Sequence, residues 1–350
     1  MKILLVRLRE IGDVVFTTPS IRALRQRFPD AHLSYIVEPV AAPIVAHNPH
    51  LNAVIVAPRR GLVADLALGR RLRREKYDVA IDFHGGPRAS LLAWLSGARE
   101  RIGYDVPGRA WMYTRRVRRP RELRPRHSVE NQWDLLATLG IAPPDRSRSA
   151  VEMAVDDDAA FAVARRLAEA GVERSHDIVV VHVSAGNPFR RWPLEHFATL
   201  AAALAAGGST RRVVLTSGPS DRDAAAAVVA DARQRLKPDE RGRIVACGDF
   251  TLAELRALMD RAALFIGGDS GPLHVASTSR APILGLYGPT LPARSAPWRD
   301  PSIRVEAVEV LGLPCRPCDQ RVCAPGDFRC LTTIAPEQVA AAAEGLLKRA

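Results

Sequence analysis

Short apolar runs alternating with longer segments of helical periodicity occur in two series along this chain, and that alternation leaves few folds open. In the first series Ile3–Val6, Leu33–Val37, Ala53–Val56 and Val79–Asp82 read as strands, with Ser20–Phe28, Leu62–Glu75 and Ala89–Leu95 as helices between them. In the second, Ile178–Val183, Arg212–Thr216, Ile244–Ala246, Leu264–Ile266 and Ile283–Tyr287 read as strands, and Leu194–Ala206, Arg222–Arg233 and Leu252–Arg261 as helices. Strand–helix alternation predicts parallel sheets with helices on both faces. The stretch from Gly140 to Ser149, containing Pro143-Pro144-Asp145, reads as a linker. A helix from Asp157 to Ala170 follows it, with Asp156-Asp157-Asp158 read as capping. The 350 residues are therefore expected to form two doubly wound, Rossmann-like α/β domains, 1–150 and 151–334, facing across a cleft at the carboxyl ends of their strands. A last helix in 335–350, opened by Pro336, is expected to pack back toward the first domain.

Charge narrows the partners. The formal net charge is +12, and lysine occurs only at Lys2, Lys76, Lys237 and Lys348, so the basic residues are overwhelmingly Arg. Arginine suits bidentate contact with phosphate and carboxylate, although a genome bias toward Arg and Ala would give the same composition. Between Arg99 and Arg126 ten Arg face only Glu100, Asp105 and Glu122. A polyanionic ligand or an anionic membrane face fits that excess. Nucleic acid is the competing partner and is not expected, because Arg115-Arg116-Val117-Arg118-Arg119 lacks interleaved aromatics and no DNA-reading motif is present. No apolar run is long enough to span a bilayer, and Met1-Lys2-Ile3-Leu4-Leu5-Val6-Arg7 is charged too soon for a leader. A cytoplasmic protein, peripherally associated with the inner membrane, is the expectation.

The chemistry-bearing residues follow the strands. Gly267-Gly268-Asp269-Ser270-Gly271-Pro272-Leu273-His274 comes after an apolar run and opens a helical one. Strand, glycine turn and helix start aim backbone N–H groups at one spot, where a diphosphate is the natural occupant. Asp269, Ser270 and His274 add polar side chains there. After the Ile178–Val183 run, the loop from Ser184 to Pro193 offers small polar groups, and Arg190 can neutralise charge on a leaving group. Asp221, after the Arg212–Thr216 run, suits either a ribose hydroxyl or a helix cap. Asp13 lies on the first strand-to-helix loop, where a fixed carboxylate serves as a general base or caps the helix.

Taken together, Ile11-Gly12-Asp13, Arg190-x-Trp192-Pro193 and Asp269-Ser270-Gly271-x-x-His274 resemble glycosyltransferase family 9, the ADP-heptose:lipopolysaccharide heptosyltransferases. His127-x-x-Glu130-Asn131 resembles that family's acceptor-side helix, and Gly285-Leu286-Tyr287-Gly288-Pro289-Thr290 also matches. The resemblance implies a GT-B architecture and inverting transfer with neither cofactor nor catalytic metal. It implies an acceptor on the first domain and an ADP-sugar on the second. Carried over residue by residue, it implies Asp13 as base and Arg190, where the family usually has lysine, beside the donor phosphates. Ser184, Asp221, Asp269, Ser270, Gly271 and His274 are the implied donor contacts. Arg7, Arg59, Arg60 and His127 are the residues expected to meet a phosphorylated glycolipid acceptor. Two other readings stay open: a transferase of the same fold acting in capsule or exopolysaccharide synthesis with another nucleotide-sugar, and a nucleotide- or nucleic-acid-binding protein without transfer activity.

Four of the five cysteines fall in Cys315-x-x-Cys318-x4-Cys323-x6-Cys330. Disulfides are not expected in a cytoplasmic chain, so a structural metal site is one reading and a purely structural segment the other. Cys247 reads as core.

Overall fold

The computed structural model describes residues 1–58, 61–118, 126–183 and 187–348. The chain divides into two units, Met1–Ala154 with Trp298–Asp300, and Val155–Pro297 with Pro301–Ala350.

The first unit is built on β1 (Lys2–Val6), β2 (His32–Val37), β3 (Ala53–Val56), β4 (Val79–Asp82), β5 (Glu100–Tyr104) and β6 (Arg115–Val117). They form one parallel sheet in the order β3-β2-β1-β4-β5-β6. Ile3, Leu4, Leu5 and Val6 of β1 are fully buried, as a central strand covered on both faces by helices must be. The strand order reverses between β1 and β4, so the loops after these two strands diverge and leave a crevice at their carboxyl ends.

The second unit repeats the plan with β7 (Asp177–His182), β8 (Arg211–Thr216), β9 (Ile244–Ala246), β10 (Ala262–Gly268), β11 (Ile283–Tyr287) and β12 (Val305–Glu309). Its parallel sheet runs β12-β11-β10-β7-β8-β9, and the reversal lies between β7 and β10. Val179, Val181, Leu264 and Ile266 from these strands share a core with Phe197, Leu200 and Leu204 of the helix Leu194–Ala206.

Sequence periodicity misses β5, β6 and β12. These strands lie toward or at a sheet edge and carry Glu and Arg, so backbone pairing rather than an apolar run marks them. Part of the Arg-rich stretch is thus an edge strand, with Arg115 paired to Glu100. Two of its neighbours are spent internally: Arg101 donates to the carbonyls of Met112 and Ala98, and Arg126 pairs with Asp134. Arg119, Arg121 and Arg124 lie outside the described residues.

The last helix, Pro336–Leu347, packs in the second unit: Val339, Ala343 and Leu346 are buried in that unit's core, and Glu344 pairs with Arg211. The apolar stripe of the helix decides its partner. What returns to the first unit is the short piece Trp298–Asp300. There Trp298 Nε1 donates to the Ser149 carbonyl at 2.8 Å, and the Val151 amide donates to the Trp298 carbonyl at 3.0 Å.

Candidate functional site

In the first unit the site grows from the loop after β1. Glu10 takes a left-handed backbone (φ 67°) and turns the chain into the short helix Ile11–Val15. Asp13 therefore falls inside the first turn, past the cap position that Glu10 occupies. Its carboxylate pairs with Arg7 Nη2, while Arg7 Nη1 donates to the Phe83 carbonyl at 2.8 Å. Arg7 is 7% exposed and committed to these partners, and it orients Asp13. Asp13 keeps about a third of its side chain accessible, 33%, which leaves the carboxylate open to a substrate proton.

Asp82 ends β4 at the same switch point and is fully buried. It accepts from Tyr113 Oη (2.6 Å), the amides of His84 (2.8 Å) and Gly85 (2.9 Å), and Ser90 Oγ (3.4 Å). Burial pushes its carboxyl up, against the opposing pull of Tyr113, the two amides and the Arg7 charge. Gly103 makes room for this network, since a Cβ there would sit 2.3 Å from the Tyr113 ring. Sequence reading took Asp82 only as a strand end; its position beside the first loop's switch point was the available signal.

His127 is buried, and its ring does structural work. Nδ1 accepts from the Val129 amide and caps the helix Ser128–Ala137, completed by Glu130 reaching back to the His127 amide. The ring packs against Phe16 and Trp298, with centroids 4.9 and 4.7 Å away. Arg59 and Arg60 lie outside the described residues.

In the second unit the polar residues gather after β7 and β10. Asp269 is buried and central. Its Oδ1 lies 3.3 Å from His274 Nε2, and its Oδ2 accepts from Ser295 Oγ at 3.0 Å and lies 3.7 Å from Arg190 Nη1. Burial alone would raise this carboxyl, but His274, the Thr290 hydroxyl and Arg190 outweigh it and hold the group below the usual carboxylate range. Arg190 Nη1 also donates to the Asp269 carbonyl at 3.0 Å. Ser270 Oγ donates to the Gly268 carbonyl at 3.2 Å and precedes the helix Gly271–Ala276. Close approach is built in at Gly268, where a Cβ would stand 3.2 Å from the Arg190 carbonyl.

Asp221 is buried and accepts from Arg191 Nη2 at 2.6 Å. His182, at the end of β7, meets the Thr216 hydroxyl at 3.0 Å; burial pushes its ring down to about 4, with Asp221 opposing. His182, Ser295 and Asp82 escaped sequence reading because each is identified by partners far along the chain. Ser184 lies outside the described residues.

All five cysteines are free thiols. Cys315, Cys318, Cys323 and Cys330 line one cavity of about 430 Å³ with Phe189 and Phe328. Yet among the described residues no group of three or more His, Cys, Asp or Glu is placed to hold a metal ion.

The profile of glycosyltransferase family 9 (heptosyltransferase) matches residues 66–327. Lipopolysaccharide heptosyltransferase 3 of Escherichia coli is 30% identical over 317 residues, which cover 89% of each chain. The crystal structure of a family 9 glycosyl transferase from Veillonella parvula superposes with a TM-score of 0.87 at 26% identity, covering 100% of this chain and 98% of that one. E. coli ADP-heptose heptosyltransferase II shares the fold, with a TM-score of 0.79 at 20% identity over 100% and 99% of the two chains. Two Rossmann-like units with polar residues at both switch points are the GT-B arrangement, and the family profile spans residues of both units. The chain belongs to glycosyltransferase family 9, the heptosyltransferases.

Proposed function

We propose that the protein transfers heptose from ADP-heptose to the core of lipopolysaccharide, with inversion and without a catalytic metal. The observation that carries this reading is the Arg190–Asp269–His274 cluster at the β7/β10 switch point of a family 9 chain. Its arginine is the cation proposed to meet the diphosphate, and its buried carboxylate holds Arg190, His274 and Ser295 around it. The relatives point to the substrates: one is a lipopolysaccharide heptosyltransferase, and a solved E. coli heptosyltransferase of the same fold holds an ADP-heptose analogue.

In the proposed step Asp13 accepts the proton of an acceptor hydroxyl. That oxygen attacks the anomeric carbon, the carbon–oxygen bond to the diphosphate breaks, and ADP departs with the electron pair. Arg190 meets the charge that grows on the diphosphate. Arg7 keeps the Asp13 carboxylate in one orientation, which shortens the search for the reactive geometry. The Asp-x-Asp pairs of the sequence are spent otherwise: Asp156 caps the helix Asp157–Glu169 through the Ala159 amide, and Asp221 pairs with Arg191 ahead of Asp223 in the first turn of the helix Arg222–Gln234.

The acceptor is proposed to be phosphorylated and met at an anionic membrane face. Support comes from exposed Arg116 and Arg118, on and just after the edge strand β6. Trp111, 58% exposed, stacks edge-to-face on Trp94, an amphipathic pair suited to a membrane interface. Among the described residues no helix is long and apolar enough to cross a membrane.

The test is direct assay. The purified protein, ADP-heptose and heptose-deficient lipopolysaccharide should release ADP and extend the core by one heptose, read by mass spectrometry. The new linkage should have the opposite anomeric configuration to the donor, and EDTA should leave the rate unchanged. Transfer from another nucleotide-sugar in preference to ADP-heptose overturns the donor assignment.

A further inference from the structure

The segment between β12 and the last helix carries the clustered cysteines, and it is tied to the carboxyl end of β11. The Cys318 amide donates to the Pro289 carbonyl at 3.0 Å. The buried guanidinium of Arg316 donates to the Thr290 carbonyl at 2.7 Å and pairs with Glu309 at 2.8 Å. Gly288 permits this docking, because a Cβ there would stand 2.5 Å from Leu331 Cγ.

Within the segment the backbone turns at Gln320, whose φ of 60° is left-handed and whose amide donates to Cys318 Sγ at 3.3 Å. The Gln320 side chain leaves the segment and meets the loop after β7. Its Oε1 accepts from Arg190 Nε at 2.7 Å and from Asn187 Nδ2 at 2.9 Å. Arg190 is thereby held at two points, Nε by Gln320 and Nη1 by the Asp269 carbonyl. Among the described residues Nη2 takes no hydrogen-bond partner. A guanidinium is planar and binds phosphate well only when its plane is fixed. Acceptors at Nε and at Nη1, on two different edges of the fork, fix that plane before a ligand arrives and spare the entropy of ordering a long side chain on binding.

We propose that Gln320 is a positioning residue for the donor site: it sets the plane of the Arg190 guanidinium so that its Nη2 amino group receives the donor diphosphate. The cysteine-bearing segment is then a wall of the nucleotide site that acts through one amide side chain. This inference rests on the donor reading above, in which Arg190 meets the diphosphate.

A double-mutant cycle in the full chain tests it, with ADP as the calorimetric probe. Gln320→Ala should weaken ADP binding by about 5- to 10-fold, but by less than about 2-fold when introduced into Arg190→Ala, because the lost contact acts only through that arginine. Gln320→Met keeps the side-chain length without the amide acceptor. It should reproduce the loss with an unchanged melting temperature, and it replaces Gln320→Ala where that variant folds poorly. Unchanged ADP affinity in Gln320→Met overturns the proposal. So does an equal loss in both backgrounds, which would mean that the segment supports the fold and not Arg190. Failure of the unmutated protein to bind ADP is a different result: it overturns the donor reading itself, and the role of Gln320 with it.

Discussion

Arg7 pairs with Asp13 through one guanidinium nitrogen and with the Phe83 carbonyl through another. The residue that leaves β1 therefore fixes the carboxylate of the next helix against the residue that leaves β4, across the point where the strand order reverses. Asp13 is oriented by this pair, not by a helix cap.

General-base assistance is worth about 10²–10⁴-fold in rate. Asp13→Asn keeps the size of the side chain but cannot take the proton, so kcat should fall by that order while ADP affinity stays near that of the unmutated protein. Arg7→Ala should lower kcat by a smaller factor, because the base remains but its orientation is lost. Glu10→Gln serves as the control carboxylate. Normal turnover by Asp13→Asn would remove it from the chemistry.

Asp269 organises His274, Ser295 and Arg190, so its loss should cost nucleotide binding. Asp269→Ala and His274→Ala should each weaken ADP by about 1–3 kcal/mol, the range for a lost charged hydrogen bond. Calorimetry on both variants checks this; affinities equal to the parent would place the nucleotide elsewhere. Because this carboxyl is held below its usual range, its contribution to stability is full above the ordinary aspartate value of 3.8 and is lost as the pH falls through its lower folded value.

His182 predicts a second, milder acid dependence. Its ring titrates at about 4 in the fold against 6.5 for a free histidine. The unfolded chain binds the extra proton between these values, so stability is full above the upper one, declines through the window and levels off for this group below the lower one. Urea midpoints taken at about pH 7.5 and about pH 5 should differ less for His182→Gln than for the parent, since the linkage follows the titrating group alone. Parallel losses in the two proteins would show that His182 is not the titrating group.

Membrane docking should depend on charge and salt. Arg116→Gln with Arg118→Gln should reduce binding to vesicles containing phosphatidylglycerol, by about 1 kcal/mol for each arginine near the surface. Binding by the parent should fall steeply as salt shortens the Debye length. Equal binding to neutral and anionic vesicles would exclude this surface.

The alternation of apolar and helical segments determined the two Rossmann-like units, because buried parallel strands are marked by local composition alone. The glycine turn before His274 and the loop carrying Asp13 were legible for the same reason: a strand end and a helix start lie within a few residues of each other. Tertiary structure decided what no local pattern records. Tyr113 reaches Asp82 from 31 positions away, and Gln320 reaches Arg190 from 130. Strands β5, β6 and β12, at or next to a sheet edge, form from backbone pairing with their neighbours, so their Arg and Glu residues concealed them. Burial makes His127 a helix cap and Arg7 a brace for Asp13. The stripe of Val339, Ala343 and Leu346 on the last helix lies in the second unit, with the apolar surface that matches it. Burial and long-range hydrogen bonding are properties of the packed chain, and they set which of the polar residues named by the sequence stay accessible and which are spent on holding the fold.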